Sequence, residues 1–467
     1  MQDLYLPNTE YLDRNFLVSP DNENVTYSNV ETFVEQYSEF LIGRTLAFIV
    51  CSNTLGSYLA LPILIRNGVV PLLLDESIKS EYLNKLIALY EPEYLFLPSD
   101  YEEPCKSWKT VKTLFNYKLL KYAVRSEIQL HSDLCILLTT SGTTGSPKMV
   151  RLSNRNIHSN ALAISNYLGI SSIDRVITTL PMNYSYGLSV LNSHFVCGAT
   201  IFLSQNSITD RKFWDLFHKN SITTLNGVPQ FYEMLVKMRF SKMELPSLRT
   251  MTQAGGKLSD SITRELLNYC VGKNILFYSM YGQTEASPRM SFVPPSIATN
   301  KVGSIGIPIP GGKLSLWDQS NTEITSDNTV GELCYTGENV FMGYAEERSD
   351  LSKGHTNEGF LRTGDLAFRD RDGFFTVVGR LSRFAKVFGL RINLDDLERN
   401  LKTLQSECAC IGKQDQIVIF TTVHDTLDDL RDAASIFTGL NRHAFVSRFV
   451  KSIPTTESGK TKYAELE

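Results

Sequence analysis

The chain has 467 residues, of which 42% are hydrophobic, so it is long enough to bury the cores of more than one domain. Its net charge of -4, with both signs mixed along the chain, gives no basic surface for nucleic acid or anionic lipid. The first residues lack the basic start and apolar centre of a signal peptide, and the most apolar window, 55–74, is interrupted by Arg66 and Asn67. We therefore expect a cytoplasmic protein that does not cross a membrane.

Helical and extended patterns alternate over the first hundred residues. Apolar spacing predicts helices at 27–41, 54–66 and 79–90 and strands at 46–51, 69–74 and 94–97. Continuous apolar strands separated by amphipathic helices are typical of a parallel sheet that is covered on both faces. The predicted fold class is α/β.

A polar loop at 139–148 lies between predicted strands at 134–138 and 149–152. Its glycines allow backbone N–H groups to converge on an anion, and its hydroxyls and lysine add donors, so it suits a polyphosphate. The composition also fits an ordinary hairpin. A Walker phosphate loop fits poorly, because Pro147 precedes Lys148 and a strand follows where a helix is required.

The order Ser-Gly-Thr-Thr-Gly-Ser-Pro-Lys in this loop resembles the signature loop of the adenylate-forming ligases: acyl-CoA synthetases, nonribosomal-peptide adenylation domains and luciferases. The resemblance covers nearly the whole chain, because the later motifs follow in the family's order. It implies that one set of loop residues binds ATP, with Thr144 also a metal ligand. These residues are Thr140, Ser141, Gly142, Thr143, Thr144, Gly145 and Lys148. After the loop, Ser153 is expected to cap a helix at 154–168.

Residues 280–285 read Met-Tyr-Gly-Gln-Thr-Glu and follow a predicted strand at 275–279. In the family the tyrosine stacks on adenine, the threonine contacts the α-phosphate and the glutamate holds Mg²⁺. A π face, a hydroxyl and a hard anionic oxygen are suitable groups for these three ligands. By resemblance Tyr281, Gly282 and Gln283 bind ATP, Thr284 and Glu285 are catalytic, and Glu285 is also a metal ligand.

Residues 181–203 resemble the family's acyl-binding segment. Gly187 stands where amino-acid-activating members carry the aspartate that binds the α-ammonium group. Burying an unpaired ammonium is costly, so we expect an acid without an α-amine and a roomy, uncharged pocket beside Gly187. Tyr184 occupies the position of a histidine found beside the reacting carboxylate in many acyl-CoA synthetases, with an ordinary core aromatic as the equal alternative. Gly255 and Gly256 match a Gly-Gly pair placed against adenine and the acyl group, although a tight turn would also explain them.

Short strands with Gly and Pro turns begin near residue 303 and predict a small β-rich part of the large domain. Within 361–366, Asp365 resembles the family aspartate that accepts both ribose hydroxyls. An Asp-Gly pair at 372–373 predicts a hairpin turn.

The C-terminal part resembles the family's mobile cap. Arg380 matches an arginine that reaches nucleotide oxygens, and Ser382 stands at the hinge position, where the family usually has Asp or Lys. Lys386 and Gly389 match the hairpin that enters the active site for the second half-reaction. Lys460 stands where the family has its catalytic lysine.

The resemblance implies a large domain, 1–379, of parallel-sheet α/β subdomains and a β-rich part, with a small mobile α+β cap, 380–467. The expected enzyme is a ligase that uses ATP and Mg²⁺ to convert a small carboxylic acid into acyl-AMP and pyrophosphate. The acyl group then passes to a pantetheine thiol, on CoA or on a separate acyl carrier protein. In this reading Lys460, Glu285, Thr284 and Lys386 are catalytic.

Three alternatives remain open from the sequence. In the first, the adenylate passes to an amine or a hydroxyl in place of a thiol. In the second, the chain is a kinase or an ATPase. In the third, it binds nucleotide without catalysis. The last alternative is disfavoured because Lys460 and Glu285 are both present.

Eight cysteines are scattered along the chain, and only Cys408 and Cys410 lie close together. A Cys-x-Cys pair without a second pair or a nearby histidine does not complete a zinc site. We expect buried thiols in a reducing cytosol.

Overall fold

The computed structural model describes residues 4–102, 107–122, 129–139, 148–388, 390–404, 407–413, 416–456 and 461–466. Within these ranges the chain forms two compact units. The first contains the described residues up to 313 together with 336–361, and the second contains 314–335 and the described residues from 362 onward. The division into a large domain, 1–379, and a mobile cap, 380–467, concerns domain motion and stays a prediction.

The α-helices of the described residues are α1 (Tyr27–Tyr37), α2 (Leu55–Arg66), α3 (Ser80–Tyr90), α4 (Asn154–Leu168), α5 (Ser185–Phe195), α6 (Arg211–Lys219), α7 (Pro229–Lys237), α8 (Asp260–Lys273), α9 (Leu394–Leu401) and α10 (Leu427–Thr438). None of them combines the length and the apolarity that crossing a bilayer requires.

The first sixteen strands, in chain order, are β1 (Asn15–Val18), β2 (Asn24–Thr26), β3 (Leu46–Cys51), β4 (Val70–Asp75), β5 (Tyr94–Pro98), β6 (Trp108–Leu114), β7 (Tyr117–Tyr122), β8 (Leu134–Thr139), β9 (Met149–Ser153), β10 (Arg175–Ile177), β11 (Thr200–Phe202), β12 (Thr224–Gly227), β13 (Thr250–Gln253), β14 (Leu276–Gly282), β15 (Arg289–Phe292) and β16 (Ile307–Pro308). The later strands are β17 (Lys313–Trp317), β18 (Gly331–Thr336), β19 (Gly343–Ala345), β20 (Phe360–Arg369), β21 (Phe375–Arg380), β22 (Phe384–Val387), β23 (Leu390–Asn393), β24 (Cys408–Lys413), β25 (Gln416–Thr421) and β26 (Phe445–Phe449).

One large sheet of the first unit has the order β19-β9-β8-β4-β3-β5-β7-β6. Its central strands, β8, β4, β3 and β5, are parallel and buried, as the continuous apolar runs predict. Helix α1 ends four residues before the predicted 41. The Ser38 hydroxyl donates to the carbonyl of Glu35, so a side chain competes for an acceptor that a further helical turn would use for a backbone amide.

A second sheet has the order β16-β15-β14-β13-β12-β10-β11-β1-β2, with parallel pairing from β14 through β1. Helix α4 starts at the predicted Ser153 cap, whose hydroxyl accepts from the Asn156 amide in a capping box. Helix α5 is buried along its whole length. The loops that carry the predicted site follow the carboxyl ends of β13 and β14, where ligands bind in parallel α/β sheets.

The second unit contains a sheet of order β17-β18-β20-β21, a hairpin of β22 and β23, and a sheet of order β24-β25-β26 packed with α9 and α10. The predicted turn at 372–373 joins β20 to β21 through Gly373, whose φ is +85°. Cys408 and Cys410 are free, buried thiols of β24, and burial raises the pKa of Cys408 to about 12. The fold is α/β, with β-rich and α+β parts toward the C-terminus, as expected.

Candidate functional site

The Tyr-Gly-Gln-Thr-Glu motif lies at the carboxyl end of β14, in the first unit. Gln283 Nε2 donates to the hydroxyl of Tyr281 at 3.3 Å, and both side chains are half-buried. A Cβ at Gly282 would lie 1.8 Å from the carbonyl oxygen of Pro288, so the chain folds back on itself here too closely for any side chain. This close return directs the next residues out of the sheet and into a short 3-10 turn, Thr284–Ala286.

Thr284 shares a hydrogen bond with the first residue of α5. Its Oγ1 lies 3.1 Å from the Oγ of Ser185. Both hydroxyls therefore stand at the amino end of a buried helix, where the positive end of the helix dipole favours negatively charged oxygens. Two such donors suit the oxygens of a phosphate group.

Glu285 is held by a tyrosine from a distant part of the chain. The Tyr344 hydroxyl, on β19, donates to Glu285 Oε1 at 2.8 Å, and the Phe341 amide donates to the Glu285 carbonyl at 2.9 Å. The Phe341 and Tyr344 rings pack edge to face at 4.8 Å. Burial raises the pKa of Tyr344, and the neighbouring Glu285 charge raises it further, so this phenol stays protonated and donates throughout the neutral range.

Lys148, the last residue of the polar loop at 139–148, lies beside the same tyrosine. Its Nζ forms an ion pair with Glu346 at 3.0 Å and lies 5.5 Å from the centre of the Tyr344 ring. This proximity follows from the pairing of β9 with β19, in which Tyr344 lies opposite Val150. The fully buried Arg151 of β9 fixes β19 further by donating to the Tyr344 carbonyl at 3.1 Å. Tyr344 therefore contacts both Lys148, through its ring, and Glu285, through its hydroxyl.

The Gly-Gly pair makes room for Tyr184. Gly255 has φ +88°, and a Cβ there would lie 2.5 Å from the Tyr184 hydroxyl oxygen. A Cβ at Gly256 would lie 3.1 Å from Pro229 Cγ. Burial raises the pKa of Tyr184 to about 12, so its phenol is a hydrogen-bond donor at neutral pH. Tyr184 therefore meets the Gly-Gly turn with its polar end, as a site residue would.

The expectation of open space beside Gly187 is wrong on the side where a side chain would point. Gly187 lies in α5, and a Cβ there would be 2.1 Å from the carbonyl oxygen of Pro181 and 2.9 Å from that of Leu180. The glycine is required because the helix passes directly over this backbone. An aspartate is not accommodated here without a backbone shift, so the absence of an ammonium-binding carboxylate is built into the local packing.

Asp365 and Arg380 belong to the second unit and lie together within it. They are cross-strand partners on β20 and β21, and Arg380 Nε donates to Asp365 Oδ1 at 2.8 Å. The aspartate is buried, whereas the arginine is exposed. Ser382 and Lys386 are exposed, on a 3-10 turn (Leu381–Arg383) and on β22 respectively.

The remaining site predictions fall outside the described residues. They are Thr140, Ser141, Gly142, Thr143, Thr144, Gly145, Gly389 and Lys460.

Comparison with known proteins identifies the family. The AMP-binding enzyme family matches residues 7–345, which is most of the chain. The chain belongs to the AMP-binding enzyme family. The sequence-based assignment of this AMP-binding enzyme to the adenylate-forming ligases is therefore confirmed.

Similar proteins align with nearly the whole length of this AMP-binding enzyme. It is 23% identical to a 2-succinylbenzoate–CoA ligase of Listeria monocytogenes, over 98% of this chain and 99% of the relative. Among solved structures it is similar to the o-succinylbenzoate CoA synthetase (MenE) of Bacillus subtilis in complex with the acyl-adenylate intermediate, with a TM-score of 0.80, 20% identity and coverage of 100% and 98%. A second structure of the MenE enzyme, in complex with ATP and a magnesium ion, has a TM-score of 0.76, 22% identity and coverage of 96% and 95%.

The donor groups of the AMP-binding enzyme fit a magnesium ion that arrives with a nucleotide. Glu285 offers a carboxylate held in place by Tyr344, and the neighbouring Thr284 offers a hydroxyl. Among the described residues no cluster of three or more His, Cys, Asp or Glu is arranged to hold a metal. Mg²⁺ commonly takes one or two protein carboxylates and completes its shell with water and substrate phosphates, which this set matches.

Sequence reasoning missed Ser185, Tyr344 and Arg289 of the AMP-binding enzyme. Ser185 lies inside the segment 181–203 that the sequence indicates, whereas Arg289 lies four residues beyond Glu285, outside the 280–285 motif. Tyr344 is 59 residues from Glu285 and meets it through the pairing of β19 with β9. No local signal in the sequence connects these two residues.

Proposed function

We propose that this enzyme activates a carboxylic acid that lacks an α-ammonium group, forming acyl-AMP and pyrophosphate from ATP, and then transfers the acyl group to the thiol of coenzyme A. The observation that carries the proposal is the pair of oxygen-rich contacts at the end of β14. Thr284 with Ser185 and Glu285 with Tyr344 present hydroxyl donors and one oriented carboxylate on neighbouring residues. Such groups suit phosphoryl chemistry, in which alignment and charge neutralisation supply most of the catalysis.

In the first half-reaction a carboxylate oxygen of the acid attacks the α-phosphorus of ATP, and the bond to the bridging oxygen of pyrophosphate breaks. The Thr284 and Ser185 hydroxyls donate to the α-phosphate oxygens, and Tyr184, a protonated phenol, donates to the reacting carboxyl group. Glu285 and Thr144 would hold Mg²⁺, which neutralises phosphate charge when bound. The loop of residues 140–148 would surround the leaving pyrophosphate.

Lys460 is proposed to bridge the acyl and phosphate oxygens during adenylation, which the resemblance of its Ser-Gly-Lys context to the family supports. Asp365 and Arg380 are proposed to bind the ribose and nucleotide oxygens, supported by their direct ion pair. The hairpin of Lys386 and Gly389 is proposed to enter the site for thiol transfer after rotation about Ser382. An exposed serine at that position offers no packing that would oppose rotation.

Coenzyme A is favoured as the acceptor because the full-length Listeria relative is a CoA ligase. A separate acyl carrier protein is the alternative outcome of the test. The described cysteines form no disulfide, which supports a reducing compartment, and we propose the cytosol, where ATP and CoA are both available.

The decisive experiment is ATP–pyrophosphate exchange with a panel of carboxylic acids, including 2-succinylbenzoate, each paired with its α-amino analogue where one exists. Exchange with at least one acid, followed by CoA-dependent release of AMP, is the expected result. Formation of ADP in place of AMP would overturn the assignment. AMP release that depends on an amine or hydroxyl and not on CoA would replace the proposed acceptor.

A further inference from the structure

Arg289 is a buried cation whose contacts are all with uncharged groups. The residue is 2% exposed. Its Nε donates to Ser189 Oγ at 3.1 Å, its Nη1 contacts the Tyr167 hydroxyl at 3.4 Å and Met280 Sδ at 3.5 Å, and its guanidinium lies 4.9 Å from the centre of the Tyr186 ring. Its Nη2 has no hydrogen-bond partner. No carboxylate of the described residues forms an ion pair with it.

Other buried arginines of the first unit are compensated differently. Arg348 forms an ion pair with Glu93 at 2.7 Å, and both side chains are buried. Arg151 donates to the carbonyls of Tyr344, Met342 and Gly354. A buried charge is costly unless it is paired and fully hydrogen-bonded. Arg289 has neither a carboxylate nor a full set of oxygen acceptors, so a counter-ion from outside the chain would complete its surroundings.

The position of Arg289 places it beside the proposed site. It begins β15 and lies opposite Gly282 of the nucleotide motif. Its partner Ser189 is four residues after Ser185 on α5, and Ser185 bonds Thr284, the proposed α-phosphate contact. Residues four apart lie about one helical turn, or roughly 5.4 Å, along the helix axis. The guanidinium therefore lies about one turn of α5 beyond the hydroxyls of the reaction centre.

We infer that Arg289 binds a second anionic group of the acid, so that the substrate class is a carboxylic acid carrying an additional carboxylate on the order of 5 Å from the reacting one. The inference rests on the proposed function, which it deepens. Arginine suits this task because its planar guanidinium donates two parallel hydrogen bonds to a carboxylate. The anion would meet the free Nη2, and the Ser189 contact would hold the guanidinium in place.

The first test uses the wild-type enzyme and pairs of acids that differ in one charge. Glutarate is compared with its monoamide glutaramate, and terephthalate with terephthalamate, by ATP–pyrophosphate exchange. Each amide keeps the size of its parent acid and removes the second charge. We expect kcat/KM to favour the dicarboxylates by roughly 10- to 100-fold, the usual range for one hydrogen-bonded charge. Equal values within each pair, or a preference for the amides, would overturn the inference.

The second test substitutes the arginine. Arg289→Met should lose the preference for dicarboxylates while retaining exchange with the amides, and Arg289→Lys should restore part of the preference. Arg175→Met is a matched control, because Arg175 lies 4.9 Å from the centre of the Phe202 ring and also has an unpartnered Nε. It should keep the wild-type ratio. A dicarboxylate preference that survives in Arg289→Met would assign Arg289 a structural role only.

Two further readouts separate the possible failures. If Arg289→Met does not fold, Arg289→Lys takes its place. The ratio of kcat/KM for a dicarboxylate to kcat/KM for its amide should be lower in Arg289→Lys than in the wild-type enzyme, and a wild-type ratio would overturn the inference. Exchange with amides or other monocarboxylates alone would leave the proposed ligase function intact and reject the role of Arg289. Absence of exchange with every acid, together with formation of ADP, would instead reject the ligase function itself.

Discussion

Removal of the Tyr344 hydroxyl should weaken the use of magnesium without disturbing the fold. Tyr344→Phe keeps the ring that packs on Phe341 at 4.8 Å and deletes the donor that lies 2.8 Å from Glu285 Oε1. A hydrogen bond to a charged group contributes about 1.5–3 kcal/mol. Tyr344 is 41% exposed, so solvent screening places the effect near the lower end of this range. About 1.4 kcal/mol corresponds to a tenfold change in an equilibrium constant.

The assay is ATP–pyrophosphate exchange titrated with free Mg²⁺ at fixed ATP. We expect the half-saturating Mg²⁺ concentration to rise roughly tenfold, as for loss of a group that orients a metal ligand, with kcat at saturating Mg²⁺ changed less than about threefold. Tyr101→Phe is the control, because the Tyr101 hydroxyl donates to the backbone carbonyl of Ile78 at 3.0 Å. A Tyr344→Phe titration that matches the Tyr101→Phe titration would refute the reasoning.

Three further changes test other parts of the molecule. Lys460→Ala should slow adenylate formation by roughly 100- to 1000-fold while sparing acyl transfer from supplied acyl-AMP, and equal losses in both half-reactions would contradict its proposed role. Gly255→Ala should lower exchange activity at least tenfold, because its Cβ would lie 2.5 Å from the Tyr184 hydroxyl at a φ of +88°, and activity equal to that of the wild-type enzyme would contradict this packing. His194 is buried and its pKa is lowered to about 4, chiefly by burial, so its stabilising contribution is complete above its unfolded pKa of about 6.5 and is lost as pH falls toward 4. Urea unfolding at pH 7 and pH 4.5 should show a loss of roughly 2 kcal/mol that is smaller in His194→Gln, and identical losses in both proteins would rule out this histidine as the source.

The sequence predicts much of the first sheet because burial on both faces leaves a continuous apolar signal. The strand predicted at 46–51 and the helix predicted at 154–168 have the predicted bounds. The hairpin of β6 and β7 was not predicted, since lysines and threonines interrupt its apolar residues and weaken the pattern of a buried strand. Pairing with the buried β5, which no local pattern specifies, holds this hairpin in the sheet.

The sequence identifies candidate site residues that lie within one short motif. It does not identify residues that are far apart in the chain and come into contact only when the chain folds. Tyr281, Thr284 and Glu285 are contiguous, so their spacing carries the information. Tyr344 reaches Glu285 through strand pairing, and Arg289 is informative only because the structure shows it to be buried without a counter-ion. The error at Gly187 has the same origin, since the sequence reveals the missing carboxylate but not the carbonyl of Pro181 beneath it.

The pairing of β9 with β19 restricts where the chain can gain or lose residues during evolution. Side chains alternate between the two faces of a strand, so a single insertion between Lys148 and Arg151 would turn one of these residues to the opposite face relative to Tyr344. The lysine would leave the tyrosine ring, or the arginine would leave the carbonyls that it binds. Recombination with related enzymes should therefore succeed when both strands come from one parent and fail when a crossover between them introduces a length change.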